Sequence, residues 1–332
     1  MSDSSEPSDA KSDRSAYHEP VMPAEVLQYL APQSGEVLLD ATLGGGGHSA
    51  LLAARIQPGG TLIGLDRDAD ALESAGARLA KFQTHVDIIL LRSDFGKLNF
   101  AIQADARTKS LKLNGALFDL GVSSHQLDTE RGFSFRRNEP LDMRMDAAAG
   151  RSAAQFLAEE NETEIARILF EYGEERASRK IARRIVERRE RGEPVETTAQ
   201  LAALVENSIP RAAWPRDINV STRTFQGLRI AVNDELGQLQ SGLDAAISRL
   251  APGGRIVVIS YHSLEDRIVK QTFARDAGKT GGAPGSSPAA FLPSAMEPIL
   301  EIITRKPISP TDAEIARNPR ARSARLRAAR KL

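Results

Sequence analysis

The chain has 332 residues, of which 41% are hydrophobic and 27% charged, a composition typical of a globular protein with a substantial core. Its 44 basic residues balance its 44 acidic residues, so it lacks the positive excess that is typical of nucleic-acid binders. The absence of cysteine excludes disulfides, thiolate catalysis, zinc ribbons and iron–sulfur clusters.

The N-terminal segment, residues 1–16, is polar and rich in serine and aspartate, without the apolar stretch of a signal peptide. Because it offers little to bury, we expect it to be a disordered leader. No apolar run along the chain approaches the length of about 18 residues that indicates a membrane span. We therefore expect a cytoplasmic protein with no membrane partner.

Short apolar runs then alternate with helical patterns, which favours a parallel sheet flanked by helices and thus the α/β class. The pattern predicts strands over residues 37–41, 61–66, 86–92, 116–120, 255–261 and 299–304. It predicts helices over residues 24–30, 48–56, 69–81 and 97–106.

The middle of the chain, from Leu120 to Arg255, has helical signals and no strand pattern. Asn161 with Glu164, and Thr197 with Gln200, resemble capping boxes. Apolar residues at helical spacing predict one helix on a core, formed by Phe225, Leu228, Val232, Leu236 and Leu239. The simplest organisation is a Rossmann-like domain, residues 17–130 and 220–332, with a helical insertion at 131–219 that forms a lid.

A glycine-rich turn carries the main cofactor signal. The first predicted strand leads into Gly44–Gly47 and then into a helix that begins near His48. Such a turn lets a ligand approach the backbone, although it can also be an ordinary helix start. Asp66 follows the second strand, twenty-two residues after Gly44, where a carboxylate typically accepts hydrogen bonds from a ribose diol. This spacing favours a nucleoside-type site.

Several observations favour S-adenosylmethionine as the cofactor. The full P-loop pattern Gly-x-x-x-x-Gly-Lys-Ser/Thr is absent, and an NAD site would need a more regular Gly-x-Gly-x-x-Gly turn. Phe95 follows the third strand and is either an adenine contact or a plain core aromatic. Asp119 ends the fourth strand and either faces the ligand crevice or is a turn residue.

The five histidines do not have the spacing of metal ligands, and we expect no metal; they are His18, His48, His85, His125 and His262. His262 follows the fifth strand, and Ser263 with Asp266 resembles a capping pair there. His262 is thus a turn-organising residue or, alternatively, a catalytic base.

Eight blocks of sequence resemble the ribosomal RNA small-subunit methyltransferase H family, also called the MraW family. One is Asp-Ala-Thr-Leu-Gly-Gly-Gly-Gly-His-Ser at 40–49, and another is His-Ser-Leu-Glu-Asp-Arg at 262–267. The other blocks lie at 119–127, 131–135, 141–146, 172–176, 222–229 and 318–323. The resemblance extends from about Tyr17 to Arg330.

The resemblance implies a class I, Rossmann-like fold and an S-adenosylmethionine-dependent rRNA (cytosine-N4)-methyltransferase. Such an enzyme methylates the exocyclic N4 of a cytidine in the decoding region of 16S rRNA, so the implied partner is 16S rRNA in the small ribosomal subunit. A homodimer is a further possible assembly that the resemblance does not decide. By resemblance, the donor contacts are Gly46, Gly47, His48, Asp66, Phe95, Asp119 and Gln126.

The group that activates the cytosine amine is an open question. Many amino-methyltransferases have an Asn/Asp-Pro-Pro-aromatic turn after the fourth strand, whereas this chain has Asp119-Leu-Gly-Val. Asp119 is our candidate catalytic residue, because an acceptor on the amine would localise its lone pair. Asp142 and backbone carbonyls near Gly121 or Ser260 are the alternatives.

Basic segments are candidates for RNA binding, although a charge run is usually a solvated face. Residues 317–332 contain seven cations and no acid, and Asn318-Pro319 predicts that they form a basic helix. Residues 176–191 contain eight cations and two acids. Further candidates in the predicted lid are Arg136, Arg137 and Arg144.

Three alternative functions remain at this stage. One is a methyltransferase of the same fold that acts on DNA or protein, although the missing Pro-Pro turn argues against DNA. Another is an NAD-dependent oxidoreductase, since it would share the glycine turn and the ribose carboxylate. The third is a non-catalytic RNA-binding factor.

Overall fold

The computed structural model describes residues 19–121, 131–134, 137–146, 150–279 and 297–332. The predicted leader at 1–16 lies outside the described residues, as do Gln126 and Arg136.

A seven-stranded sheet forms the centre of the molecule, in the order β3-β2-β1-β4-β5-β7-β6. Strands β1 to β5 are parallel, and β7 is antiparallel to both β5 and β6. The sheet confirms the predicted α/β, Rossmann-like fold. The strands are β1 Val37–Asp40, β2 Gly60–Asp66, β3 Val86–Arg92, β4 Leu113–Asp119, β5 Leu250–Ser260, β6 Leu300–Ile302 and β7 Arg325–Lys331.

Helices cover both faces of this sheet, which is why its strands are apolar runs. Leu38 and Leu39 point to opposite faces of β1, and both are fully buried. Helices α1, α2 and α3 pack on the Leu38 side, and α4, α10 and α11 on the Leu39 side. These helices are α1 Pro23–Leu30, α2 Gly47–Ile56, α3 Ala69–Leu79, α4 Leu98–Ala104, α10 Glu235–Arg249 and α11 Ser263–Asp276.

A third core lies between β4 and β5 in the chain, and among the described residues of this stretch only helices occur as regular elements. They are α5 Ala153–Glu159, α6 Glu162–Glu171, α7 Ser178–Glu190, α8 Thr198–Ser208 and α9 Thr222–Asn233. Thr197 and Gln200 form the predicted capping box. Asn161 caps α6, but the Glu164 side chain bonds to Arg167 instead of completing a capping box.

None of the helices in the described ranges is long and apolar enough to cross a membrane.

The predicted single helix from Phe225 to Leu239 is wrong. The chain forms two helices, α9 and α10, which meet at Asp234. Asp234 has a φ of 47°, a left-handed conformation that the short polar side chain of aspartate tolerates better than most. The apolar spacing continued across this break because both helices pack on a core, so periodicity could not reveal the turn.

The predicted basic helix over residues 317–332 is also wrong. A short helix α12, Asp312–Arg317, ends where this segment begins, and a 3-10 turn, Pro319–Ser323, leads into β7. Leu326 and Ala328 of β7 pack on one face of the sheet and Ala329 packs on the other. This alternation, characteristic of a strand, decides the fold of the segment.

Candidate functional site

A cavity of about 500 Å³ lies at the carboxyl ends of the parallel strands. Its volume is within the usual range for small-molecule sites. In open α/β sheets, ligands bind at the carboxyl ends of the strands. Residues that follow β1, β2, β3, β4 and β5 line it. Glu19–Val21 near the N-terminus, Met143 and Met145, helix α9 and Asn318 with Arg320 complete the lining.

The glycine turn between β1 and α2 forms part of the cavity wall. Gly44 and Gly46 adopt φ angles of 49° and 73°, which favour glycine. Gly44, Gly45 and Gly47 line the cavity, whereas Gly46 does not. A Cβ atom on Gly46 would lie 3.1 Å from the Cβ of Ala75, so Gly46 allows the close approach of α3.

Asp66 lies at the end of β2, and its carboxylate is fixed by backbone groups. The amide of Gly44 donates to its Oδ2 at 2.9 Å, and that of Asp68 donates to its Oδ1 at 2.9 Å. Burial raises the pKa of Asp66, although the two backbone hydrogen bonds act in the opposite direction. Each carboxylate oxygen can accept more than one hydrogen bond, so Asp66 can still bind a hydroxyl from the cavity.

Phe95 begins the 3-10 turn Phe95–Lys97 after β3. Its ring packs edge-on against Phe118, with centroids 6.0 Å apart and ring planes at 79°. It also lines the cavity beside Ser93 and Asp94. The two interpretations of Phe95 are therefore compatible, since it contacts the core and borders the ligand space.

Asp119 lies at the end of β4 with a partner for each carboxylate oxygen. The Tyr261 hydroxyl donates to Oδ1 at 2.7 Å, and His48 Nε2 lies 3.5 Å from Oδ2. The backbone N–H of Asp119 donates to Thr42 Oγ1 at 2.7 Å. Burial, together with the charge of Asp119, raises the pKa of Tyr261 well above its usual value. Tyr261 thus remains a donor and holds the carboxylate in place.

His48 is buried at the start of α2. Burial lowers the pKa of its imidazole, but Asp119 and Asp40 outweigh that effect, so the pKa is raised overall. Asp40 itself is buried, accepts a hydrogen bond from Ser49 Oγ at 2.7 Å, and has a pKa raised by burial. These contacts tie the first turn of α2 to the end of β1.

The turn after β5 is capped by residues other than the predicted pair. His262 is the N-cap of α11 and forms a capping box with Glu265, so the predicted pairing of Ser263 with Asp266 is wrong. Glu265 accepts hydrogen bonds from the backbone N–H groups of Tyr261 and His262, at 2.7 and 3.2 Å. Asp266 binds Arg327 of β7 instead.

Glu235, His262 and Glu265 have ligand atoms within 4.8 Å of one another, which is close enough to hold a metal ion. However, Arg229 donates to both oxygens of Glu235, at 2.8 and 2.9 Å, and already neutralises it. Burial alone would raise the pKa of Glu265, but His262, the Tyr261 amide and Arg229 outweigh it and hold this pKa below its usual range. The three side chains are therefore engaged in internal contacts: the ion pair of Arg229 with Glu235 and the capping box of His262 with Glu265.

Comparison with known proteins assigns the family. The chain matches the model of the MraW methylase family over residues 15–332. The chain belongs to the MraW methylase family. A relative from Geobacter sulfurreducens named ribosomal RNA small subunit methyltransferase H is 51% identical over 318 residues, which cover 95% of this chain and 99% of the relative. A relative of the same name from Geotalea uraniireducens is 47% identical over 319 residues, with 95% and 99% coverage.

Among solved structures, an rRNA methylase from Streptococcus thermophilus gives a TM-score of 0.40 at 10% identity, covering 93% of each chain.

Three other candidates of this MraW-family chain lie apart from the cavity lining, namely Asp142, Arg144 and Arg137. Asp142 accepts hydrogen bonds from Arg144 Nε and Nη2, both at 2.8 Å, and this contact lowers the pKa of Asp142. Neither Asp142 nor Arg144 is among the residues that line the cavity. Arg137 forms an ion pair with the buried Glu139, at 3.2 Å. Gln126 and Arg136 lie outside the described residues.

Sequence reasoning did not assign a role to Tyr261 or Glu265. Tyr261 ends the predicted fifth strand, but no pattern in the sequence places its hydroxyl beside Asp119. Glu265 lies three residues after His262, the spacing of a capping box, which was a usable signal. Arg229 and Glu235 are six residues apart across the break at Asp234, and no spacing rule predicts their pairing.

Proposed function

We propose that this chain transfers the methyl group of S-adenosylmethionine to the exocyclic N4 of a cytidine in 16S rRNA of the small ribosomal subunit. The observation that carries the proposal is one cavity with a fixed carboxylate, Asp66, on one side and a second, Asp119, on the other. Family membership and the printed names of the relatives support small-subunit rRNA as the substrate. The cytidine N4 target rests on the family resemblance.

The cavity residues fit the parts of the donor. Gly44, Gly45 and Gly47 let an amino-acid end approach the backbone, and Asp66 can accept hydrogen bonds from ribose hydroxyls. Phe95 offers a ring beside the space for an adenine. Gly46 would support the glycine turn indirectly, because the absence of a side chain lets α3 pack closely against it. His48 and Gln126 remain proposed contacts from the resemblance.

When bound, S-adenosylmethionine supplies an electrophilic methyl group on a positively charged sulfur, and the residues of the chain must position and activate the amine. The cytosine amine is a weak nucleophile because its lone pair is delocalised into the ring. Asp119 has room to accept one N–H of this amine, since a carboxylate has about four lone-pair sites and only one is taken by a close hydrogen bond. That bond would localise the lone pair and compensate the positive charge that develops on N4.

Tyr261 is a positioning residue in this scheme. Its hydroxyl hydrogen bond fixes one oxygen of Asp119, and the contact with His48 restrains the other. Much of the rate of a displacement comes from holding the reacting groups in line. The buried turn at Glu265 in turn holds the backbone of Tyr261.

The substrate nucleotide must reach a cavity that a stacked base cannot enter. We therefore propose single-stranded or splayed RNA as the form that binds. Phe133, Met143 and Met145 contribute apolar lining from the stretch 131–219, which supports its proposed role as a lid. A cytoplasmic location and the assembled small subunit as partner belong to the same proposal.

Mass spectrometry of 16S rRNA fragments from cells with and without this gene tests the proposal. We expect one decoding-region fragment to lose the mass of one methyl group on deletion and to regain it with the wild-type gene. A gene carrying Asp119→Asn is the matched control and should restore little methylation. An unchanged fragment mass on deletion would contradict the proposed reaction.

A further inference from the structure

The six arginines between residues 317 and 330 fall into two groups. Three of them form ion pairs: Arg317 with Glu19, Arg327 with Asp266 and Arg330 with Glu301, at 3.2, 2.6 and 2.6 Å. These pairs fix the segment to the rest of the molecule.

The other three arginines, Arg320, Arg322 and Arg325, are exposed and form no ion pair with any residue in the described ranges. We call them the arginine face. Ala321 and Ala324 alternate with them and are buried, with 0% and 2% of their surface exposed. The 3-10 turn Pro319–Ser323 and the start of β7 therefore hold the three side chains on the surface of a well-packed segment.

One end of the arginine face borders the cavity, because Arg320 is one of the residues that line it. Arg325 pairs in register with Ser260, the last residue of β5, and the next residue along the chain is Tyr261. The Tyr261 hydroxyl donates to Asp119 at the end of β4. The start of β7, with Arg325, therefore lies at the carboxyl ends of the parallel strands, where the proposed catalytic carboxylate is found.

We propose that the arginine face binds the phosphates of the RNA strand on either side of the reacting nucleotide; this inference rests on the proposed function. A base that enters the cavity leaves its flanking phosphates at the cavity mouth. Guanidinium groups bind phosphates with two parallel hydrogen bonds. The chain has no net charge. Three exposed cations without an ion pair in the described ranges, one of them at the cavity, therefore create a local attraction that the molecule as a whole lacks.

The basic helix α7 differs from the arginine face in how its charges are used. Arg189 donates to the carbonyl oxygens of Leu157, Ala158 and Glu160, and Arg183 forms an ion pair with Glu187. Several cations of α7 thus serve the packing of the helical region. No residue of α7 lines the cavity.

Three cations that precede β2 and β4, at the amino ends of the parallel strands, provide a matched control. Arg55, Lys109 and Lys112 are exposed, have no ion pair within the part of the chain that the structure describes, and lie outside the cavity lining. Replacing them removes the same charge from the protein as replacing the arginine face. Any difference between the two variants therefore reports position and not net charge.

The experiment uses small ribosomal subunits from cells that lack this gene, together with the full-length protein. We compare the wild type with the arginine-face variant Arg320→Gln/Arg322→Gln/Arg325→Gln and the control variant Arg55→Gln/Lys109→Gln/Lys112→Gln. For each we measure subunit affinity at several salt concentrations and KM in methyl transfer. The arginine-face variant should raise KM roughly tenfold or more and reduce the slope of log affinity against log salt by about two, because about three phosphate contacts are lost. The control variant should stay within about twofold of the wild type.

The denaturant midpoint of each variant checks folding, and we expect it to be unchanged. A triple replacement of the arginine face by lysine should keep most of the salt slope, because the charges remain, while losing part of the affinity with the bidentate contacts. Equal changes in the arginine-face and control variants, or an unchanged salt slope in the arginine-face variant, would overturn the proposal. A wild type that binds subunits but transfers no methyl group would contradict the proposed function, and the salt slopes would still decide on the arginine face.

Discussion

The two sides of the cavity are built in different ways. In the proposed function, one side binds the methyl donor and the other binds the acceptor. The donor wall consists of the glycine turn Gly44–His48 with Asp66 and Phe95, and its key carboxylate is fixed by backbone N–H groups. The acceptor wall consists of Asp119, Tyr261 and the turn His262–Glu265, and it depends on side chains from different strands, since Tyr261 and Asp119 are 142 residues apart.

This difference separates binding from rate. A wall of backbone groups offers a fixed shape that a ligand can recognise before any reaction occurs. A carboxylate held by another side chain is suited to meet a charge that develops during the reaction. We therefore expect changes in the donor wall to affect donor affinity and changes in the acceptor wall to affect the rate, and the predictions below test this division.

The largest expected effect is that of Asp119→Asn. Loss of the negative charge next to the reacting amine should lower the single-turnover rate by about 10²–10³, as for other groups that stabilise developing charge. Rapid-quench methyl transfer to small subunits measures it. If donor affinity in Asp119→Asn falls by as large a factor as the rate, Asp119 does not act on the rate alone, and the assignment of separate roles to the two walls is wrong.

Glu265→Gln should destabilise the protein by roughly 3 kcal/mol at neutral pH, because it breaks a buried network with His262 and Arg229. The pKa of Glu265 is held low in the folded state, so its stabilising contribution is present above the ordinary pKa of about 4.3 and is lost as the pH falls through the folded-state value. The difference between wild type and variant should therefore shrink in acid. Denaturant unfolding at several pH values measures it.

The matched control for Glu265 is Glu301→Gln, which removes an exposed pair with Arg330 and should cost less than about 1 kcal/mol. Equal destabilisation by the two variants would show that the turn behind the acceptor wall is no more important than a surface ion pair.

Asp66→Ala should weaken donor binding by roughly 1.5–3 kcal/mol, since a ribose would lose a charged hydrogen-bond partner. It also frees the Gly44 N–H, so the glycine turn should loosen. Asp66→Asn keeps the shape of the side chain and should lose less affinity than the alanine variant. Calorimetry with S-adenosylmethionine measures both, and unchanged affinity in Asp66→Ala would remove this residue from the donor wall.

Tyr261→Phe should have the smallest effect, a loss of about 1 kcal/mol and so roughly fivefold in kcat, because one hydrogen bond to Asp119 disappears. If Tyr261 positions Asp119, KM for the RNA and donor affinity should not change. A rise in KM with kcat preserved would instead mean that Tyr261 contacts the substrate.

The residues of the proposed donor wall could be found from the sequence because each lies at, or a few residues after, the end of its own strand. The glycine turn, Asp66 and Phe95 were found by pattern, and the structure brings them to one cavity. In the acceptor wall, the sequence pointed to Asp119 and to His262 as a turn residue, but not to Tyr261 or Glu265. Tyr261 meets Asp119 because β4 and β5 pair with Asp119 opposite Ile259, and a single sequence does not give that register.

The C-terminal segment shows a second limit of sequence reasoning. Its charge pattern predicted a helix, yet Arg327 is nearly buried in β7, where Asp266 of α11 neutralises it. The partner is 61 residues away, so the local sequence looked too charged for a buried strand. Burial of a charge depends on its partner, which the count of cations cannot reveal.

The most direct test of the account is a crystal structure of this chain with bound S-adenosylmethionine. We predict ribose hydroxyls hydrogen-bonded to Asp66, the amino-acid end against the glycine turn, and the methyl group directed towards Asp119. A donor bound in that cavity with its ribose away from Asp66, or bound at another surface, would contradict the division of the cavity into a donor wall and an acceptor wall.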